Sequence, residues 1–229
     1  MIDFSSITNS WGYILEGVKY TIELTVITAI GGLILGTGLA LCRLSTSKIL
    51  SEFSKLYTNL MRAVPLVLVL FWFFLLMPEV LKVLLGLDHP VMIGAEMTAI
   101  ITFVLFEAAY FAEIMRAGIQ SVSKGQMSAA MALGLRYGQT MRYVILPQAM
   151  STSVPAFVAN VIFLFKETSV FSAISLMDLM FTAKDLIGLY YKTTESLFLL
   201  VVFYLLILLP VSLLGSLLER RLRYAGFGA

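Results

Sequence analysis

Six ionisable side chains stand within or at the ends of long apolar runs of this sequence. They are Glu23, Glu107, Glu113, Arg116, Lys166 and Glu167. A charge at membrane depth is costly, so each of them is a candidate functional residue. Glu113 and Arg116 are three residues apart, which predicts a structural ion pair on one helix.

Three further patterns have more than one interpretation. The string Lys166-Glu167-Thr168-Ser169 predicts either the polar lining of a substrate pathway or a structural role, as an internal pair or as a bond between helices. Glu107 has no oppositely charged neighbour in sequence, and we expect it to line a pathway cavity or face another subunit rather than lipid. Arg62 is expected either to attract substrate carboxylates or to anchor its helix to lipid headgroups.

This sequence lacks the motifs for ATP hydrolysis and for the common metal sites. There is no Gly-Lys dipeptide for a phosphate-binding loop, no HExxH string, and only one cysteine, Cys42. The one histidine, His89, stands between Asp88 and Pro90 and is expected to be a solvated loop residue. We therefore expect no ATP hydrolysis, no metal and no other cofactor in this chain.

The composition is typical of a membrane protein. Hydrophobic residues make up 59% of the 229 residues and charged residues 13%, whereas soluble domains contain about 25% charged residues. The net charge of +2 gives no indication of nucleic-acid binding. Met1 to Trp11 lack the pattern of a cleaved signal peptide, and residues 1–229 are expected to form one membrane domain.

Five apolar segments predict an all-α, polytopic fold. Helices of about 20 residues cross a bilayer and satisfy their own backbone hydrogen bonds, and these segments do not alternate as barrel strands do. The predicted spans are approximately residues 18–41, 57–77, 97–115, 155–176 and 197–217. In the first span, Gly32 and Gly36 allow close helix approach, either inside the bundle or at a dimer contact.

Basic residues are concentrated on one side of these spans. That side holds those at positions 43, 48, 55, 62, 116, 124, 136, 142, 220, 221 and 223, and the other side holds those at 19, 82, 184 and 192. Because basic loops face the cytoplasm, the N-terminus is expected outside and the C-terminus inside. Residues 117–150 then form a cytoplasmic segment, with a short helix, a turn and a lead-in to span four that ends at Pro147.

This cytoplasmic segment resembles the EAA loop of ABC importer permeases, in the form found in the polar amino acid (histidine, glutamine and glutamate) family. The resemblance rests on Gly125-Gln126-Met127-Ser128-Ala129-Ala130-Met131-Ala132-Leu133-Gly134-Leu135 and on Ile145-Leu146-Pro147-Gln148-Ala149. The strings at 62–66, 109–121 and 166–169 look like that family too. Ser128 stands where the family usually has glutamate; the glutamate/aspartate subgroup tends to have serine there, and Phe106-Glu107-Ala108-Ala109-Tyr110 also looks most like that subgroup.

The resemblance implies the type I importer permease (MetI-like) fold and an alternating-access transporter for a polar amino acid, with glutamate or aspartate favoured. It also implies a second permease, identical or homologous, a dimer of ATPases that holds ATP and Mg²⁺, an external solute-binding protein, and a bacterial inner membrane. The helix around Gly125 to Gly138 would be the coupling helix, seated on the ATPase. Its coupling residues would be Gly125, Gln126, Ser128, Ala129, Ala130, Leu133 and Gly134.

Two other classes of protein fit the residues less well. An integral-membrane enzyme should cluster its catalytic residues at one membrane face, but the candidates here are spread singly over several spans. A self-assembling channel or secondary transporter often contains internal repeats, and none is visible in this sequence. The importer permease is therefore the favoured interpretation.

Overall fold

The computed structural model describes residues 4–5 and 9–224 as a helical bundle. The helices are α1 (Trp11–Arg43), α2 (Lys48–Ala63), α3 (Leu66–Phe71), α4 (Met77–Leu85), α5 (Ala95–Ser121), α6 (Lys124–Ala132), α7 (Tyr137–Thr140), α8 (Leu146–Glu167), α9 (Leu179–Tyr190) and α10 (Thr193–Tyr224). π-helical turns at Trp72–Leu76 and Met141–Ile145 join α3 to α4 and α7 to α8, and a 3₁₀ helix at Thr168–Ile174 follows α8. Residues 1–3, 6–8 and 225–229 of the expected domain, and the side chain of Arg223, lie outside the described residues.

Five helical stretches within this part of the chain are long and apolar enough to cross a membrane. They are Trp11–Arg43, Leu66–Leu85, Ala95–Ser121, Tyr137–Ile174 and Thr193–Arg221. The prediction of an all-α fold with five spans is confirmed. α5 lies at the centre of the bundle and packs against α1, α2 and α8. Its Phe103 ring meets Phe171 of the 3₁₀ helix, with centroids 4.9 Å apart.

The second span differs from the predicted range of 57–77. α2 ends at Ala63, Val64 is extended (φ −106°, ψ 136°), and α3 begins after Pro65. The cause is local, because a proline disfavours helical backbone in the residue before it and brings no N–H of its own. α2 is a separate helix that packs against α1 and α5, where the Tyr57 hydroxyl donates to the Leu105 carbonyl at 2.6 Å.

The contact between α1 and α5 decides between the two interpretations of the glycine pair. A Cβ at Gly32 would lie 3.0 Å from Phe111 Cδ2, and one at Gly36 would lie 2.8 Å from the Ala108 carbonyl oxygen. Both glycines face α5 of the same chain. They therefore serve close packing inside the bundle rather than a dimer contact.

The segment between the third and fourth spans contains the predicted short helix. α6 ends at Ala132, earlier than the expected Gly138, and Gly134 adopts a left-handed conformation (φ +85°) that favours glycine. The expected end of the lead-in at Pro147 is wrong, because the helical path runs from Tyr137 through to Ile174. Pro147 lies in the first turn of α8, directly after a π-helical turn, where a missing N–H is tolerated.

At the other end of the bundle, Asp178 begins α9. Its Oδ1 accepts a hydrogen bond from the Phe181 N–H at 2.8 Å, while Oδ2 is buried without a partner among the described residues. The Thr21 hydroxyl of α1 accepts the Leu179 N–H at 2.9 Å, which fixes the start of α9 against the first span. Burial raises the pKa of Asp178 from 3.8 to about 6, and backbone N–H groups and Lys184 oppose this rise.

The raised pKa of Asp178 predicts a pH-dependent stability. Below about pH 4 this carboxyl is protonated in both the folded and the unfolded chain, so its burial does not lower the free energy of unfolding. Above about pH 6 it is ionised in both states, and its burial lowers the free energy of unfolding by the full amount. Asp178→Asn keeps a capping oxygen and removes the charge, so it should raise the thermal unfolding midpoint at pH 8, with a stabilisation of at most about 3 kcal/mol. Thermal unfolding in detergent at pH 8 and pH 5 tests this. An equal effect at both values would contradict it.

Candidate functional site

Glu113 on α5 is the centre of a cluster of three arginines. Arg116, one turn further along α5, donates to Glu113 Oε2 from Nε at 3.0 Å and from Nη2 at 2.8 Å. Arg43, the last residue of α1, donates to Oε1, and Arg62 near the end of α2 has Nη1 4.0 Å from Oε2. The structure thus contains the expected pair of Glu113 and Arg116, but as part of a larger network that ties three helices together.

This arginine cluster carries more positive than negative charge. Three guanidinium groups surround one carboxylate, and two positive charges remain in excess. Glu113 and Arg116 line a cavity of about 490 Å³ between α5 and α8, together with Thr152 and Ser153. An electropositive wall of this kind attracts anions, above all groups with a carboxylate.

Arg62 links this cluster to an aromatic ring. Its guanidinium carbon lies 5.6 Å from the ring centroid of Tyr110, a cation–π distance, and its side chain is 42% exposed. Arg62 therefore turns towards α5, and it keeps donors accessible at the surface.

Glu107 lies two turns from the cluster along α5 and is fully buried. Asn160 of α8 donates from Nδ2 to Glu107 Oε2 at 2.7 Å. The Glu167 carboxyl, at the end of α8, lies within hydrogen-bonding reach of the same side chain. As expected, Glu107 does not face lipid, but it faces neither an open cavity nor a free surface, because close packing of α1 and α8 on α5 encloses it inside this chain.

Lys166 and Glu167 point in different directions, since successive residues of a helix are about 100° apart. Lys166 is exposed and lines a groove of about 570 Å³ between α8 and α10, with Ser169. Its Nζ lies 5.9 Å from the ring centroid of Phe163. Glu167 instead turns towards Glu107 of α5, so the two do not form one internal pair, and Glu167 takes part in the alternative contact between helices. They lie at the end of α8, directly before the 3₁₀ helix. The buried Thr168 hydroxyl donates to the Phe165 carbonyl at 2.7 Å.

Most of the predicted coupling residues of α6 and the turn after it are exposed, but one of them is buried. The exposed members are Gly125, Gln126, Ser128, Ala129, Leu133 and Gly134. Leu133 is 85% exposed, an unusual value for a leucine at the end of a helix. Ala130 is only 4% exposed and lies on the inner face of α6, the helix that packs on the π-helical turn Met141–Ile145. The prediction that Ala130 is one of the coupling residues on the ATPase-facing surface is corrected, because the face of α6 that carries Ala130 packs against its own chain.

The sequence argument missed Ser153, Asn160 and Arg43 as site residues, and only the first two left a signal. Ser153, Asn160 and Glu167 recur every seven residues, which places them on one face of α8. That face meets α5, where the Ser153 hydroxyl also approaches the Ile114 carbonyl at 3.4 Å. Arg43 left no comparable signal, because its partner Glu113 is 70 residues away in the chain.

Sequence comparison identifies the family to which this chain belongs. Residues 32–224 match the family described as "Binding-protein-dependent transport system inner membrane component". The chain belongs to this family. It is a multi-pass inner-membrane permease, the membrane-spanning component of a transport system, as the resemblance of its EAA-like segment indicated.

Relatives of this permease align over nearly their whole length. It is 44% identical to the glutamate/aspartate import permease protein GltK of Escherichia coli O157:H7, and the alignment covers 96% of this chain and 97% of the relative. It is 36% identical to the arginine transport system permease protein ArtQ of Bacillus subtilis, with 97% and 98% covered.

Solved structures agree with the family. A crystal structure of an amino acid ABC transporter with histidines superposes with a TM-score of 0.84 at 30% identity, and covers 96% of this chain and 99% of that chain. The MetNI methionine ABC transporter superposes with a TM-score of 0.76 at 20% identity, over 93% of this chain and 98% of that chain, which confirms the predicted MetI-like fold.

Proposed function

We propose that this permease forms the translocation pathway of an ATP-driven importer for acidic amino acids, glutamate or aspartate. The observation that carries the proposal is the 44% identity to a glutamate/aspartate import permease over 96% of the chain. The excess positive charge around Glu113 supports an acidic substrate, because each such molecule brings two carboxylates and a net negative charge at neutral pH.

In this proposal, the substrate pathway is lined by those residues of the predicted pathway that the structure leaves accessible. Arg62 and the α5–α8 cavity near Arg116 supply positive charge at one end of the bundle. Lys166 and Ser169 supply polar groups to the groove between α8 and α10. Lys166 has no carboxylate within ion-pair distance among the side chains that the structure describes. A free ammonium at membrane depth requires water, substrate or another subunit beside it. Glu107, Glu167 and Thr168, which the sequence also assigned to the pathway, line neither of these cavities and would contribute to it only from inside the bundle.

The partners in this proposal are a dimer of ATPases that holds ATP and Mg²⁺, a second permease subunit and an external solute-binding protein. The exposed surface of α6 and its Gly134 turn would receive the ATPase on the cytoplasmic side. The excess of basic residues on that side supports an outer N-terminus and a cytoplasmic C-terminus, with residues 1–229 as one permease domain.

Reconstitution tests the proposal. The chain is assembled with its ATPase, second permease and binding protein in proteoliposomes, and ATP-driven uptake of labelled glutamate, aspartate, glutamine and arginine is compared. We expect the two acidic amino acids to be taken up fastest. Lys166→Met should lower their uptake by about tenfold or more, the worth of one charge-assisted hydrogen bond, with the assembled complex and basal ATP hydrolysis retained.

Lys19→Met is the matched control, because Lys19 is 75% exposed on α1 and pairs with Glu23 of the same helix. Faster uptake of glutamine or arginine would contradict the acidic substrate while leaving the importer in place. Uptake by this chain alone under an ion gradient would favour the secondary transporter. Unchanged uptake by the Lys166 variant would remove Lys166 from the pathway.

A further inference from the structure

The contact between Glu107 and Glu167 joins two carboxyl groups inside the bundle. Glu107 is fully buried, and only Oε2 has a donor, the Asn160 amide at 2.7 Å. Its Oε1 and the Oε2 of Glu167 are both buried without a donor among the described residues, yet the two side chains lie within hydrogen-bonding reach of each other. With both groups ionised, neither orphan oxygen has a partner.

A compensating cation is lacking around this pair in the described part of the chain. On α2, Arg62 points to Tyr110 and Glu113 instead. On α8, Lys166 turns outward to the groove. The adjoining face of α1 presents Gly32, which has no side chain, and the titratable neighbour on α5 is the Tyr110 phenol.

Electrostatic repulsion therefore determines the protonation state of Glu107 and Glu167. Two carboxylates in contact inside a protein repel each other, and burial in a span removes the water that would screen them. One proton between them removes the repulsion, and it supplies the missing donor, since the acid O–H of one group can donate to the orphan oxygen of the other.

We propose that Glu107 and Glu167 hold a single shared proton and form a proton-binding site that joins α5 to α8 within the membrane. Asn160 completes the site as an uncharged donor on the remaining oxygen. The site is separate from the question of which amino acid is transported. While the proton is bound, the pair draws the two helices together; its loss leaves two like charges at their interface.

Infrared spectroscopy of the assembled importer in lipid nanodiscs tests the site. Glutamate labelled with ¹³C separates the C=O stretch of a protonated glutamate from the lipid ester band. We expect the wild type to show one such acid group per chain at pH 7. Glu107→Gln and Glu167→Gln should each lose it, because the new amide donates to the remaining carboxyl, which then ionises.

Glu23→Gln is the control, because Glu23 is 55% exposed and pairs with Lys19; this variant should keep the band. Absence of the band in the wild type would overturn the proposal, and so would its survival in either glutamine variant. If a variant fails to assemble, the wild type still decides: a labelled band that disappears when the pH is raised supports the shared proton, and no band at pH 7 overturns it.

Discussion

Replacing Leu133 with aspartate is expected to release the ATPase from this permease and to abolish ATP-driven uptake. Leu133 is 85% exposed at the end of α6, directly before the left-handed Gly134. Docking of the ATPase on α6, as proposed above, would bury the Leu133 side chain. A carboxylate there would be desolvated without a partner, at a cost of about 2 kcal/mol or more, which corresponds to an affinity loss of ~30-fold.

Met92→Asp is the matched control for this prediction. Met92 is 90% exposed in the loop between α4 and α5, at the opposite end of the bundle, so the same change there should leave ATPase binding intact. Copurification of tagged permease with the ATPase, followed by uptake in proteoliposomes, provides the measurement. Full binding by the Leu133 variant would show that the ATPase docks elsewhere. Ala130 is unsuitable for this test, because a charge at its buried position would damage α6 itself.

Gly36→Leu is expected to prevent the permease from folding stably. A Cβ at Gly36 would lie 2.7 Å from Phe111 Cβ and 2.8 Å from both the Ala108 carbonyl oxygen and the Ala112 nitrogen of α5. Two of these three atoms are backbone, so no rotamer change can make room, and α1 must separate from α5. Overpacking of this kind costs ~3 kcal/mol or more.

Gly38→Leu on the same helix is the control, since a Cβ at Gly38 has nothing within 4 Å. The yield of monodisperse protein after detergent extraction and the thermal unfolding midpoint of both variants measure the difference. A Gly36 variant as stable as the Gly38 variant would contradict the close α1–α5 contact.

The number of spans was predictable from the sequence, because an apolar run long enough to cross the bilayer is a local property of the chain. The effect of each proline was less predictable. Pro65 ends a helix, Pro155 and Pro210 lie inside helices, and Pro147 begins one. A span tolerates a proline where neighbouring helices or a π-helical turn absorb the lost hydrogen bond, and that depends on tertiary packing.

The site was predictable only in part. Glu107, Arg116 and Lys166 could be recognised in the sequence because ionisable residues are unusual within apolar runs. Their contact partners could not be predicted, because these depend on how α1, α5 and α8 pack together. Arg43 entered the sequence argument only as a basic residue that orients the chain, although it bonds Glu113 from 70 residues away. Likewise, the small residues of α6 indicated a packing helix without revealing which face, that of Ala130 or that of Leu133, is turned inward.

The ion pairs that Glu113 forms with Arg43 and Arg62 also restrict how the bundle can deform. Arg43 ends α1, Arg62 lies one residue before the end of α2, and both reach the same carboxylate on α5, so the ends of these three helices form a rigid block. Immediately after that block, Val64 and Pro65 interrupt the helical hydrogen bonds. A force delivered through α6 would therefore swing the block as one lever, with its hinge at the Val64–Pro65 junction rather than within any of the three helices.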